Sequence, residues 1–97
     1  MLRGGGGGPA LVAGTAPVIA FDSAVPQIEW EWEASDPDFW SFQNSVDGVT
    51  EWEPYDTTPG SSRSFGVPAD SFYYRMQGVD GFSNPTTPWS NVVQATD

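Results

Sequence analysis

The chain has 97 residues, three of them basic and thirteen acidic, for a formal net charge of −10, and it contains neither His nor Cys. All three cations are Arg, too few to neutralise a run of phosphates, so neither a nucleic-acid partner nor an anionic membrane surface is expected. Without Cys or His there is no disulfide, thiolate nucleophile, zinc–thiolate site or imidazole chemistry, and no cofactor is expected.

The length admits one small domain. Five Trp, six Phe and three Tyr make 14% of the chain aromatic, too rich for an acidic disordered segment. Eleven Gly and nine Pro interrupt the chain too often for long helices. The expected class is a small all-β domain.

Residues 1–16 stand apart. They hold no acid, one cation (Arg3), the run Gly4, Gly5, Gly6, Gly7 and Gly8 closed by Pro9, and then the apolar Leu11 and Val12. Gly14 interrupts the apolar stretch and the basic region is a single Arg, so no signal peptide is expected; the stretch is also too short to span a bilayer. Fixing each glycine costs about 1–2 kcal/mol of backbone entropy with no side chain to offset it. The segment therefore reads as an extended arm that takes a fixed course only against a neighbouring protein subunit. Residues 17–97 hold the other two Arg and all thirteen acids, so this second part carries −11.

From Pro17 the hydrophobic period is two. Val18, Ile19 and Phe21 predict a first strand. In residues 27–33 Ile28, Trp30 and Trp32 fall on one face and Glu29, Glu31 and Glu33 on the other, which is the alternation of a strand with one dry and one wet side. Ser35, Asp36, Pro37 and Asp38 predict a turn. Trp40, Phe42 and Asn44 then alternate with Ser41, Gln43 and Ser45, and Asp47-Gly48 predicts a tight turn into a fourth strand over residues 49–53, followed by a loop over 57–62. Residues 63–67 predict a short fifth strand. In the sixth, Phe72, Tyr74 and Met76 alternate with Tyr73, Arg75 and Gln77; residues 81–88 predict a loop, and residues 89–96 the last strand. Seven short strands at this spacing point to a sandwich.

These residues resemble a fibronectin type III domain, an immunoglobulin-like β-sandwich. Ile28, Trp30 and Trp32 are similar to that family's second strand. The stretch Trp40-Ser41-Phe42-Gln43-Asn44-Ser45-Val46-Asp47-Gly48 with Trp52 beyond is similar to its third strand and hairpin. Phe72-Tyr73-Tyr74-Arg75-Met76 looks like its Tyr-x-Tyr-Arg-Val stretch, and residues 90–96 like its closing strand. The resemblance covers residues 17–97 and implies a seven-stranded sandwich preceded by the extended arm. The family's corner tyrosine falls at Phe72 in this register, or at Tyr73 if the register moves by one.

Several residues are candidates for chemistry. Asp36 and Asp38 are paired as a glycosidase pair would be, but a sandwich this small offers little cleft, and Ser-Asp-Pro-Asp is commonly a turn; no catalytic residue and no enzymatic activity is expected. Asp36 and Asp38 with Glu33, and Asp80 with Asn84, lie in loops that share one end of such a topology, making Asp36, Asp38 and Asp80 weak calcium candidates without any recognised loop spacing. Trp52, Tyr73 and Arg75 are expected to face outward, with Phe82 in the 81–88 loop. They form either a ligand or adhesion surface, for instance for a cell-surface glycan, or a cross-strand aromatic cluster on a wet face. The resemblance and the arm together imply a structural subunit of a large assembly, with a bacteriophage virion as the expected location, as a capsid decoration or a tail or fibre component. In that reading Arg3, Gly4 to Gly8, Pro9, Leu11 and Val12 bind the neighbouring subunit. A carbohydrate-binding or adhesion module is the alternative.

Overall fold

The computed structural model describes residues 15–97. Seven strands, β1 (Val18–Asp22), β2 (Gln27–Glu31), β3 (Phe39–Ser45), β4 (Glu53–Pro59), β5 (Ser64–Gly66), β6 (Tyr73–Val79) and β7 (Val93–Gln94), make two antiparallel sheets. The first has the order β1-β2-β5 and the second β4-β3-β6-β7. The described residues are thus all-β, consistent with a sandwich, and among them no helix is long and apolar enough to cross a membrane.

The period-two pattern does the layering. Ile19, Ile28 and Trp30 from one sheet meet Trp40, Phe42, Tyr74 and Met76 from the other, all at most 5% exposed. Outward neighbours are wet: Val18 is 72% exposed and Glu31 is exposed. Each aromatic ring buried in this way removes roughly 150–250 Å² from water, which lets few residues build a core. The rings form a continuous chain from one end of the domain to the other. Trp32 meets Trp40 edge-on at 5.3 Å, Trp40 meets Trp30 at 5.9 Å, and Trp30 meets Phe42 at 5.7 Å. Phe42 then stacks on Phe65 at 4.7 Å, and Tyr55 closes against Phe65 and Tyr74.

Strand β2 stops at Glu31, before the expected Trp32 and Glu33, and two further elements, β4 and β7, differ more widely from the sequence expectation. The connection after β3 is wider than a two-residue turn, because Glu51 as well as Gly48 takes a left-handed conformation (φ 57° and 76°) and Asp47 captures the amides of Val49 and Thr50 at 2.9 and 2.8 Å. The fourth strand therefore begins at Glu53 rather than residue 49 and absorbs Thr57, Thr58 and Pro59, expected as loop, by pairing along β3 as far as Phe39↔Pro59. At the other end the expected strand over residues 89–96 is reduced to β7. Upstream of β7 the chain still runs beside β6, but hydroxyls stand in for part of the ladder: Ser90 Oγ accepts the Met76 amide at 2.9 Å and Thr87 Oγ1 accepts that of Gly78 at 3.0 Å.

The hydroxyl that reaches back at the start of β6 belongs to neither Phe72 nor Tyr73. Tyr74, fully buried, donates it to Asp70 at 2.7 Å. Burial, then the Asp70 hydrogen bond and charge, push this phenol far above its ordinary pKa.

Candidate functional site

The residues singled out for chemistry occupy three separate regions. At one end of the sandwich the β2–β3 and β6–β7 connections converge, as the topology implies, and Asp36, Asp38 and Asp80 with Trp32, Thr86 and Thr87 surround a hollow of about 270 Å³. Each carboxylate already has an internal partner. Asp36 pairs with Arg63 at 2.6 Å. Asp38 accepts the amide of Gly81 at 2.8 Å, and Asp80 accepts those of Phe82 and Asn84 at 2.8 and 2.9 Å. The Asn84 and Phe82 amides hold the Asp80 carboxyl below the usual carboxylate range. Glu33 lies elsewhere, beside the outer face of the three-stranded sheet. Among the described residues no group of three or more acidic side chains is placed to hold a metal ion.

The second region is that outer face. Val18 and Ala20 of β1 sit across from Glu31 and Glu29 of β2, and together with Glu33 they line an open hollow of about 760 Å³. Gln27 donates to Glu29 at 2.6 Å, which ties down one carboxylate of the row. Thr15 and Ala16, where the described chain begins, line the same hollow. Pro17, by contrast, is fully buried, so the chain passes from surface to core within one residue. Arg3, Gly4 to Gly8, Pro9, Leu11 and Val12, expected to bind a neighbouring subunit, lie outside the described residues.

The third region is the outer face of the four-stranded sheet. Of the four residues expected to share a ligand surface, only Trp52 and Arg75 meet. The Arg75 guanidinium lies 4.3 Å from the Trp52 ring centre and 4.1 Å from that of Trp89, so one cation is held between two indoles. Gln43, directly opposite Arg75 in the β3–β6 register, accepts from its Nε and Nη2 at 3.0 and 2.7 Å. Tyr73 is instead half-buried over the β3–β4 connection, so close that a Cβ on Gly48 would lie 2.8 Å from its ring. Phe82 is 88% exposed in the turn beyond the far end of β6, a seven-residue strand and so about 20 Å from Tyr73. Trp89 is the member that sequence reasoning missed as a partner of Arg75. It opens residues 89–96, expected as the last strand, and with Phe82 brackets the 81–88 loop; its place beside Arg75 depends on that segment lying along β6.

Family models, curated proteins and solved structures give no match to this chain.

Proposed function

We propose that the protein is a non-enzymatic structural subunit of a large assembly, with residues 1–16 as an anchoring arm and a fibronectin type III-like sandwich displayed by it. The observation that carries the reading is the abrupt change at Pro17. On one side lies a glycine-rich segment with one cation, no acid and few side chains; on the other lies a domain whose two sheets pack on each other from Ile19 to Ala95. An extended chain rich in Gly gains order chiefly by docking along another surface. The sandwich carries −11, which disfavours close packing of sandwich on sandwich and favours a partner contacted through the arm. The carboxylates that could serve catalysis, Asp36, Asp38 and Asp80, are engaged by Arg63 and backbone amides. A bacteriophage particle, with the subunit as a capsid decoration or a tail or fibre component, is the setting we favour from the resemblance to single immunoglobulin-like modules.

The test compares the full chain with a chain lacking residues 1–14 for incorporation into particles in the cells that make them. Loss of the truncated chain from the particle fraction, with the sandwich still folded, is the expected result. Incorporation at full occupancy without the arm overturns the proposal.

A further inference from the structure

Arg75 is a cation with an unused half. Its Nε and Nη2 converge on Gln43 Oε1, which occupies one hydrogen-bonding edge of the guanidinium. The opposite edge, formed by Nη1 and the second Nη2 proton, has no acceptor among the described residues, and no carboxylate lies within 4.0 Å. All thirteen acids of the chain are among the described residues, so the acid-rich sequence leaves this one guanidinium without a counter-charge. Arg63, the other described cation, has Asp36 and three carbonyls. Burial between the indoles penalises the Arg75 charge and lowers its pKa; the two ring faces and Gln43 Oε1 offset that in part, but no carboxylate does.

The surroundings are donor-rich and apolar. Trp52 and Trp89 each turn one ring face to the guanidinium and stay half-exposed. Neither of their ring N–H groups donates to a protein acceptor among the described residues. By contrast Trp32 and Trp40 donate to the carbonyls of Ser35 and Gly60. Gln43 holds the fork in place, so a ligand meets a pre-set donor pair rather than a mobile side chain.

We propose that the Trp52–Arg75–Trp89 stack is a binding site for a carboxylate-bearing saccharide, whose carboxylate takes the free edge of the Arg75 guanidinium while its ring lies against indole. A planar carboxylate matches two parallel N–H donors. The C–H faces of a sugar ring suit the electron-rich face of an indole. The net charge of −11 on the sandwich favours a singly charged acid over a phosphate monoester dianion. The site does not depend on the arm, so it stands or falls separately from the assembly proposal.

The test is a titration of the full chain with sodium glucuronate, glucose and sodium acetate, following the indole N–H resonances of Trp52 and Trp89 and the Nε–H resonance of Arg75. Glucuronate is expected to shift all three saturably, with at least about tenfold weaker responses to glucose and to acetate, the scale of one charge-assisted hydrogen-bond pair or one stacked ring. Gln43→Glu supplies an internal carboxylate while keeping the stack, and is expected to weaken glucuronate binding about tenfold or more with the cross-ring contacts intact. Arg75→Lys is expected to lose it as well, because an ammonium lacks the fork. No response to glucuronate, an equal response to glucose, or full affinity in Gln43→Glu overturns the site. An equal response to acetate overturns the saccharide assignment.

Discussion

Gly60 sits fully against the β2–β3 loop, where a Cβ would overlap the Pro37 carbonyl oxygen, while its own amide donates to Asp38 O at 3.0 Å and its carbonyl takes the Trp40 indole N–H at 3.0 Å. Gly60→Ala therefore forces backbone apart where two loops are locked, and is expected to cost at least about 3 kcal/mol, read as a lowered denaturation midpoint in urea. Tyr74→Phe removes the hydroxyl that donates to Asp70 Oδ2, the one donor to that oxygen among the described residues, for an expected loss of about 1–2 kcal/mol in the same assay. Tyr73→Phe, whose hydroxyl makes no protein hydrogen bond among the described residues, is expected to change stability by under about 0.5 kcal/mol. Equal effects of the two Phe variants would contradict the placement of the reaching hydroxyl at Tyr74. Alternation alone placed Tyr74 in the core, because a period of two is set by the chain's own geometry. Its hydroxyl contact depends on where residues 68–72 bring Asp70, and no local pattern encodes that. Trp30, Trp32, Trp40 and Phe42 were legible for the same reason as Tyr74, and Trp89 beside Arg75 was hidden for the same reason as Asp70.

Among the elements, β2 and β3 were readable to within two residues, whereas β4 and β7 were not. The difference lies in what fixes each boundary. The alternation of β2 sets its register and faces, although the strand ends at Glu31, short of Trp32 and Glu33, whereas β4 starts where a polar knot built on Asp47 and Ser45 stops. Ser45 Oγ lies 2.6 Å from the Thr50 carbonyl and accepts the Gly48 amide at 3.0 Å, so side chains, not a two-residue hairpin, close the connection. Amides of Thr50 and Val49, then the hydroxyls of Thr50 and Ser45, hold the Asp47 carboxyl well below the usual carboxylate range. Folding thus lowers the pKa of Asp47, as it does that of Asp80. The unfolded chain binds more protons than the folded one as pH falls below about 4, and the stabilisation present at neutral pH is lost there. Asp47→Asn is expected to flatten that acid decline; an unchanged slope of unfolding free energy against pH would contradict the knot. The short β7 has a companion device. Asn91 pairs its side-chain amide with the backbone of β1, accepting from Ile19 N at 2.8 Å and donating to Ile19 O at 2.9 Å, and so joins the two sheets at their common edge. Asn91→Ala is expected to cost about 1–2 kcal/mol and to speed amide exchange at Ile19 before the rest of β1. The opposite edge is protected differently: β4 carries Glu53, Asp56 and two prolines along an exposed strand, which discourages pairing with another chain.

For the whole molecule, composition limited the chemistry but could not say how the few charges left would be used. Both described arginines turn out to be fixed, Arg63 across a loop junction and Arg75 between two indoles, and the acids are distributed over a strand face and loop turns rather than gathered into a metal cluster. The division between a segment of residues 1–16 carrying +1 and an acidic sandwich carrying −11 was visible in the sequence as a change of charge and of period at Pro17. Among the described residues Pro17 is the first that is buried. The proposed role rests on those two parts being separable. Thermal unfolding and amide resonances of residues 15–97, set beside those of the full chain, test this directly. Superimposable core resonances and midpoints within about 2 °C are expected, equivalent to under about 0.5 kcal/mol for a domain of this size. A truncated chain that fails to fold, or that melts far below the full one, would show that residues 1–14 belong to the sandwich's own core, and would contradict an arm free to engage a neighbour.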